Sequence, residues 1–284
     1  MSWTIQKLLQ WTESYFKKHD IKSPRVDAEV LISHVLKKKR IDLYVQFESL
    51  VSDQDLAQLK LFIQRRVQHE PIQYIVGNQE FWSLPIQVGP GVLIPRPETE
   101  CLVEKATFFF KEKKETPFNI LDVGTGSGAL SLALAKEFPL ARIVAIDLSE
   151  KALQIARQNR DTLGFSERIT FRQSDLFENI DEKFDLVISN PPYISEKMWE
   201  GLAPEIKLFE PKEALLGGED GTDIHQRILK ELPTILSPGG YLIMEISPEQ
   251  VSPLNDYLTK QGFFRNIAIS KDYSGYERVL SLQV

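Results

Sequence analysis

The sequence predicts an α/β fold, in which a mostly parallel seven-stranded sheet follows a small bundle of helices. Three observations favour it: helical periodicity over residues 1–70, turn residues over 71–97, and alternating strand and helix patterns from residue 118 onward. Such alternation is typical of a parallel sheet covered by helices. We therefore predict three parts: a helical domain at 1–70, a β-hairpin linker at 71–97 and an α/β domain at 98–284.

The first part carries the periodicity of three helices. Apolar side chains recur every 3.6 residues over Ile5–Phe16 and Ser23–Leu36. A third helix, Ser52–His69, begins with the capping box Ser52-x-x-Asp55. The basic run Lys37–Arg40 lies at the end of the second helix, where the helix dipole favours cations. A surface for ribosomal RNA or an acidic partner is the alternative role for this run.

Short apolar runs define the strands of the third part. The predicted strands are Phe118–Val123, Arg142–Ile146, Ile169–Arg172, Phe184–Ile188, Tyr241–Ile246, Phe263–Ile269 and Glu277–Leu282. The predicted helices are Ala129–Glu137, Ser149–Leu163, Asp223–Leu236 and Glu249–Lys260. The last two strands are close in sequence and predict an antiparallel hairpin that closes the sheet. The other five would be parallel, and open α/β sheets bind ligands at the carboxyl ends of such strands.

Composition and charge exclude several classes of protein. A net charge of −6 argues against a broad DNA-binding surface, which would need clustered lysine and arginine. One cysteine, Cys101, allows no disulfide framework, so a reducing cytoplasm is the expected setting. The four histidines have no ligand spacing, so no metal is expected. No apolar run approaches the ~20 residues of a membrane span, and the first twenty residues do not resemble a signal peptide.

A glycine-rich loop, Gly124–Gly128, joins the first strand of the sheet to a helix. Glycines let the backbone approach a ligand closely, and a helix N-terminus offers free N–H groups. Asp147 ends the next strand, where a carboxylate reaches the hydroxyls of a ribose. Asp175 follows the third strand and could accept from an adenine amino group, with Leu176 or Phe177 against the base. The expected ligand is therefore nucleoside-like.

Two kinds of nucleoside ligand fit this loop. Gly124, Gly126 and Ala129 match the dinucleotide fingerprint, which is a weak pattern by itself. Asp122 precedes the loop and would repel a pyrophosphate, whereas a carboxylate suits the cationic groups of S-adenosylmethionine. We expect S-adenosylmethionine. Enzymes that bind dinucleotides commonly transfer hydride, and the motif after the fourth strand, described next, has no role in that reaction.

That motif is Asn190-Pro191-Pro192-Tyr193, and it follows the buried run Phe184–Ile188. Two prolines remove two backbone donors and fix two φ angles, so the chain leaves the sheet stiffly. What remains is a rigid rim made of the Asn190 amide, the Pro191 carbonyl and the Tyr193 ring. The two oxygens could accept both hydrogens of a planar NH₂ group while the ring packs on its face. The alternative is a plain strand end with a surface tyrosine.

Together these motifs resemble the HemK/PrmC family of protein-(glutamine-N5) methyltransferases, over nearly the whole chain. The matching segments outside the helical domain are Gly89–Glu100, Leu121–Gly128, Asn190–Tyr193, Phe209–Pro211, Leu215–Gly221 and Asp272–Arg278. The resemblance implies a class I, Rossmann-like methyltransferase domain that uses S-adenosylmethionine. It implies that the substrate is the glutamine of the Gly-Gly-Gln loop in class I peptide chain release factors.

The resemblance also implies roles for individual residues. Asn190, Pro191 and Tyr193 would be catalytic, and with Pro192 they would hold the substrate glutamine. The expected cofactor-binding residues are Gly124, Thr125, Gly126, Ser127, Gly128, Asp147, Asp175, Leu176 and Asn190. Leu176 departs from the family, which often carries an aromatic residue there. Arg96 stays open as a partner-facing, site-lining or solvated cation.

The rim alone leaves other functions open. An adenine amino methyltransferase acting on DNA or RNA would need the same rim, but the acidic charge and the lack of a basic target-recognition domain argue against it. A nucleotide-binding module without catalysis is the alternative from another class. We expect a cytoplasmic monomer whose partner is a release factor, with no DNA and no membrane as partner.

Overall fold

The structure is a computed structural model, and it describes residues 2–284. Its helices are α1 (Ile5–Lys18), α2 (Pro24–Leu36), α3 (Arg40–Val45), α4 (Asp53–Val67), α5 (Ile72–Val76), α6 (Glu100–Phe109), α7 (Ala129–Glu137), α8 (Glu150–Leu163), α9 (Glu196–Trp199), α10 (Pro204–Phe209), α11 (Asp223–Glu231) and α12 (Val251–Gln261). Its strands are β1 (Asn78–Phe81), β2 (Leu84–Gln87), β3 (Asn119–Val123), β4 (Arg142–Asp147), β5 (Ile169–Gln173), β6 (Phe184–Ser189), β7 (Leu236–Glu245), β8 (Arg265–Lys271) and β9 (Glu277–Gln283).

The chain divides into two compact units. A helical unit contains the residues up to Asn78 together with the short segment Ala203–Phe209. An α/β unit contains Gln79–Leu202 and Glu210–Val284. The segment with α10 therefore belongs to the helical unit although it lies between two strands of the α/β unit in sequence.

The helical unit is built on an apolar core from α1, α2 and α4. Ile5, Phe16, Leu31 and Ile63 are members of this core, and each is nearly inaccessible to solvent. Ser52 accepts a hydrogen bond from the Asp55 N–H at the start of α4, as the capping pattern predicts. The core follows from the amphipathic periodicity, which places one apolar stripe of each helix inside.

The basic run of this unit is partly bound within the unit. The sequence pattern missed the short helix α3, which begins at Arg40. The Arg40 guanidinium pairs with the buried Glu29 carboxylate of α2 at 2.6 Å, rather than with the end of that helix. Lys38 donates to Gln46 at 2.7 Å. Two charges of the run thus have partners that helix periodicity alone does not reveal.

A second ion cluster of this unit is centred on Arg66 and Asp27, whose side chains are nearly inaccessible to solvent. The Arg66 side chain is 6% exposed and donates to the Asp27 carboxylate at 2.7 Å and to the Glu205 carboxylate at 2.9 Å. A third nitrogen bond runs from Arg66 to the Glu70 carbonyl at 3.2 Å. The guanidinium fork suits several oxygens at once, so this cluster ties α2, α4 and α10 together.

The α/β unit contains the predicted seven-stranded sheet, with the order β5-β4-β3-β6-β7-β9-β8. The strands β3 to β7 are parallel, whereas β9 runs antiparallel to both β7 and β8. The chain order reverses between β3 and β6. Open α/β sheets bind ligands in the crevice at such a switch point.

The strand register sets which residues meet at that crevice. Val123 is opposite Ser189, and Ser189 is opposite Met244, in neighbouring strands. The residues that follow, Gly124, Asn190 and Glu245, are therefore neighbours at the carboxyl edge.

Some predicted extents differ from the structure. Trp82 and Ser83 both have positive φ, 51° and 54°, as the two-residue turn of the β1–β2 hairpin requires. The apolar run Val92–Ile94 of the linker predicts a further short β-like segment, but no strand forms there. The Ile94 N–H binds the Glu210 carboxylate at 3.0 Å instead. The strand β7 begins at Leu236, where helix periodicity continued the preceding helix.

Candidate active site

The glycine loop after β3 leaves space on one side and packs on the other. A Cβ atom built on Gly124 or Gly126 would meet no protein atom within 4 Å. One built on Gly128 would lie 3.2 Å from the Ala156 Cβ of α8. The first two glycines thus face an open cradle, and the third allows α8 to approach.

Asp122 lies beneath this loop with no access to solvent. Its Oδ2 accepts hydrogen bonds from the hydroxyls of Thr125 and Ser131, each at 2.7 Å. Within residues 2–284 its Oδ1 atom has no partner. Burial raises the pKa of Asp122 to about 6, against which the two hydroxyl bonds act. An uncompensated buried carboxylate favours a cationic ligand at this end of the site.

Two further acids follow the neighbouring strands. Asp147 ends β4 and accepts from the N–H groups of Gly126 and Ser149, both at 2.8 Å, while burial raises its pKa. Asp175 follows β5 and pairs with Arg227 at 3.0 Å. Each carboxylate has further lone pairs with which to accept from a ligand hydroxyl or amino group.

The residues next to Asp175 divide between surface and core. Leu176 is half-buried, packs against the sheet core and has a positive φ of 49°. Phe177 is 6% exposed and belongs to the core, so it is not free to stack on a base. The residues described so far fit S-adenosylmethionine as a ligand. Asp147 offers an acceptor for ribose hydroxyls, the glycine loop leaves open space, and the buried Asp122 carboxylate suits a cationic group.

The rim residues Asn190–Tyr193 emerge at the same edge. The Ser189 hydroxyl donates to the Val123 carbonyl at 2.7 Å, which joins the ends of β6 and β3. The Asn190 Nδ2 group donates to the Thr99 hydroxyl at 3.0 Å. Its amide oxygen is therefore directed away from Thr99. A cavity of about 30 Å³ lined by Asn190, Pro191 and Tyr193 opens beside it.

The backbone of Tyr193 contacts Gln250 and Gly221. Its carbonyl accepts from the Gln250 side chain at 3.2 Å. A Cβ on Gly221 would clash with the Tyr193 carbonyl oxygen, and one on Gly217 would clash with that of Pro192. Burial, and then the nearby Glu245 carboxyl, hold the pKa of the Tyr193 phenol above its ordinary value. The rim therefore packs against the segment that contains Gly217 and Gly221, and a side chain at either glycine would displace it.

Arg96 lines the same cavity as the rim. Its guanidinium binds the carboxylate of Glu210, whose side chain is 1% exposed. The second Glu210 oxygen accepts from the Ile94 N–H. Of the three roles left open for Arg96, the structure supports a site-lining one.

Comparison with known proteins identifies the family. Residues 7–77 match the family PrmC N-terminal domain, and residues 114–274 match the family Methyltransferase domain. A release factor glutamine methyltransferase of Rhodopirellula baltica is 40% identical, over 99% of this chain and 96% of the relative. One of Geobacter sulfurreducens is 38% identical, over 98% of this chain and 96% of the relative. The chain belongs to the release factor glutamine methyltransferase family.

Family membership confirms the resemblance inferred from the motifs, the methyltransferase activity and the fold class. Among solved structures, the hMettl16 catalytic domain in complex with MAT2A 3'UTR hairpin 6 superposes with a TM-score of 0.55. It is 15% identical and covers 83% of this chain and 84% of that chain. At this identity the likeness concerns the fold alone.

Sequence reasoning missed two buried residues beside the rim of this candidate site, Thr99 and Glu245. Thr99 donates to the Glu245 carboxylate at 2.6 Å and accepts from Asn190. A signal for Glu245 exists: an acid follows the apolar run Tyr241–Met244 and ends β7, just as Asp147 ends β4. Thr99 carries no such signal, because it ends no strand, although it lies in the same family-like segment, Gly89–Glu100, as Arg96.

Residues 2–284 contain no group of three or more histidine, cysteine, aspartate or glutamate side chains that is arranged to hold a metal ion. No helix in this range is both long and apolar enough to cross a membrane.

Proposed function

We propose that this chain transfers a methyl group to the side-chain amide nitrogen (N5) of the glutamine in the Gly-Gly-Gln motif of class I peptide chain release factors. The observation that carries the proposal is the near-full-length identity of 40% to a release factor glutamine methyltransferase. When bound, S-adenosylmethionine supplies the activated methyl group.

The donor is held by the residues of the glycine loop and the strand ends. Gly124–Gly128 would lie along it, Asp147 would accept from its ribose, and Asp175 with Leu176 would contact its base. Asp122 supports this assignment, because its buried oxygen, which has no partner among residues 2–284, favours the cationic end of the donor.

The rim would hold the substrate amide. An amide nitrogen is a poor nucleophile, so the enzyme must mainly orient it. The Asn190 oxygen and the Pro191 carbonyl would each accept one amide hydrogen, while Tyr193 packs on the amide plane and Pro192 keeps the rim stiff. Two acceptors also stabilise the positive charge that grows on the nitrogen during transfer. No base is needed before transfer, since the proton can leave afterward.

We also propose a division of labour along the chain. Residues 1–70 would orient the protein substrate, and residues 98–284 would catalyse methyl transfer. Residues 71–97 would link these two parts. Because release factors work at the ribosome, we place the reaction in the cytoplasm. We propose a monomer without DNA binding, which light scattering and gel-shift measurements on the full chain would check.

A methyl-transfer assay with labelled S-adenosylmethionine tests the substrate class. It compares a purified class I release factor, the factor with Gly-Gly-Gln changed to Gly-Gly-Ala, unmethylated DNA and unmethylated RNA. Label on the wild-type factor alone supports the proposal. Label on nucleic acid with the factor untouched would replace it with the adenine alternative.

The variant Asn190→Ala tests the rim. We expect kcat to fall at least about 100-fold, because one hydrogen-bond acceptor for the developing charge is lost. Donor affinity, measured by calorimetry, should fall far less than kcat. Asn255→Ala, at an exposed position of α12, is the matched control and should behave as the wild type. An equal loss of rate and donor affinity would refute the role.

A further inference from the structure

A chain of three side chains links β7 to the rim. The Asn190 amide donates to the Thr99 hydroxyl at 3.0 Å, and that hydroxyl donates to the Glu245 Oε2 atom at 2.6 Å. Thr99 is 4% exposed and Glu245 is 1% exposed. Nothing in the proposed reaction uses Thr99 or Glu245, although Thr99 is bound to Asn190, on which the reaction depends, and Glu245 is bound to Thr99.

The hydrogen bonds of this chain have a fixed direction when Glu245 is ionised. A carboxylate only accepts, so the Thr99 hydroxyl must give its hydrogen to Glu245. Only lone pairs then face Asn190. The Asn190 carboxamide can meet them only with its NH₂ group, which turns its oxygen to the opposite side.

We propose that Thr99 and Glu245 are positioning residues, which fix the Asn190 carboxamide so that its oxygen faces the substrate amide. The inference rests on the proposed function, since it assumes that this oxygen accepts a substrate hydrogen. A carboxamide is nearly symmetric in shape, so packing alone would not distinguish its two orientations. The hydrogen-bonded chain distinguishes them by charge.

Protonation of Glu245 would remove the preference. A neutral carboxyl can donate to Thr99, whose own hydrogen can then go to the Asn190 oxygen in the reversed amide. Both orientations are then satisfied. Burial raises the pKa of Glu245 to about 7, within reach of ordinary assay conditions. The groups that face the carboxyl are the hydroxyls of Thr99 and Tyr193 and the charges of Arg278 and Glu98, and its backbone carbonyl meets His225.

Removal of the Thr99 hydroxyl tests the positioning role. Thr99→Val keeps the shape and should lower kcat about 10- to 100-fold, because a loosely held group costs about this much. Donor affinity should change less than about threefold. Thr99→Ser restores the hydroxyl and should recover kcat to within about threefold of wild type. Thr12→Val, which removes a buried hydroxyl without a partner among residues 2–284, is the matched control.

The pH profile separates positioning from mere packing. We expect the wild-type kcat to rise by up to about twofold from pH 6 to pH 8, as Glu245 loses its proton and the productive amide orientation goes from about half of the molecules to nearly all. Glu245→Gln keeps the size but cannot ionise, so its kcat should be lower and flat over this range. An unchanged pH profile in Glu245→Gln would overturn the proposed part of Glu245.

A spectroscopic measurement needs no protein substrate. In protein labelled with ¹⁵N-asparagine, the Asn190 side-chain NH₂ signal is assigned by its loss in Asn190→Ala. We expect one strongly hydrogen-bonded proton in the wild type and in Thr99→Ser, and its loss in Thr99→Val. If the release factor is not methylated but this signal behaves as expected, the proposed function fails. The orientation of the Asn190 carboxamide by Thr99 would then still be supported.

Two results would overturn the inference itself. One is a Thr99→Val enzyme that is folded, by its thermal unfolding curve, and has a kcat within about threefold of wild type. The other is a Thr99→Ser enzyme as impaired as Thr99→Val, since the hydroxyl would then not be the feature that matters. If Thr99→Val does not fold, the serine variant and the pH profile of Glu245→Gln decide the question.

Discussion

One buried carboxylate of the helical unit and two of the α/β unit are satisfied in opposite ways. In the helical unit, Asp27 shares an arginine with Glu205, and the Arg66 fork binds both. In the α/β unit, Asp122 and Glu245 are fully buried and are bound by hydroxyl groups, without a cation in hydrogen-bond contact among residues 2–284. Glu210 of the α/β unit resembles the helical unit in this respect, because it pairs with Arg96.

This difference separates a structural role from a functional one. In the ion cluster, an arginine of the same chain compensates the negative charge of the carboxylates. Asp122 keeps one oxygen without a partner in the described chain at the ligand-binding edge of the sheet, and burial raises its pKa and that of Glu245 above ordinary values. Burial also raises the pKa of Asp27, so the raised pKa alone does not separate the two roles. The Asp122 oxygen without a partner among residues 2–284 does.

The largest expected effect breaks the ion cluster. Arg66→Met leaves Asp27 buried without its cation, and we expect the free energy of unfolding to fall by about 3–5 kcal/mol. Urea denaturation of the full chain at pH 7 measures it. Because the cluster lies outside the donor site, the folded variant should bind S-adenosylmethionine as the wild type does.

A double variant sharpens this test. Asp27→Asn in the Arg66→Met background removes the uncompensated charge and should recover part of the lost stability. A stability loss below about 1 kcal/mol for Arg66→Met alone would show that the cluster does not hold the helical unit together. It would also remove the contrast with the α/β unit.

The sequence patterns predicted the sheet well and the ion cluster not at all. Short apolar runs such as Phe184–Ile188 predict strands locally, since parallel strands are nearly continuous apolar runs. Arg66 and Glu205 lie far apart in sequence and α10 is only a short helix. Their meeting depends on how the chain packs, which periodicity does not encode.

A smaller effect is expected for Asp122→Asn, with opposite signs for stability and binding. Burial raises the pKa of Asp122 from 3.8 to about 6. The protonated acid therefore contributes its full stability below pH 3.8, and this contribution is lost as pH rises through 6. At pH 8 the ionised group then costs about 1–3 kcal/mol. The asparagine variant should be more stable by about that amount at pH 8, and equally stable near pH 4.

Donor affinity should fall at the same time. We expect a loss of about tenfold or more for S-adenosylmethionine in Asp122→Asn by calorimetry, because the uncompensated negative charge is gone. Asp185→Asn is the matched control, since Asp185 binds the Asn119 N–H at the other end of the sheet at 2.8 Å. Weaker stability at pH 8 together with unchanged affinity would contradict the functional role of Asp122.

The site itself was predictable only where a strand end carries its signal. Asn190, Asp147 and the glycine loop follow apolar runs directly, and the structure brings these runs to one edge. Thr99 reaches Asn190 from a segment 91 residues earlier. Contacts of that kind follow from the folded chain, and no local pattern of residues indicates them.

The smallest expected effect separates two glycines of one loop. Gly126 has a φ of 57° and open space where a Cβ atom would lie, whereas Gly128 has a φ of 82° and packs against Ala156. Left-handed backbone costs an alanine about 1–2 kcal/mol at either position. Gly128→Ala should lose somewhat more stability, because its methyl group also crowds α8.

Donor binding should show the reverse order. The Gly126→Ala methyl group would occupy the cradle, so we expect at least about a tenfold loss of affinity for S-adenosylmethionine, against less than threefold for Gly128→Ala. Gly164→Ala is the control, because Gly164 caps α8 with a φ of 77° and open space around it, and shares the backbone cost without the cradle. Equal affinity losses at Gly126 and Gly164 would mean that backbone strain, and not contact with the donor, explains the loop.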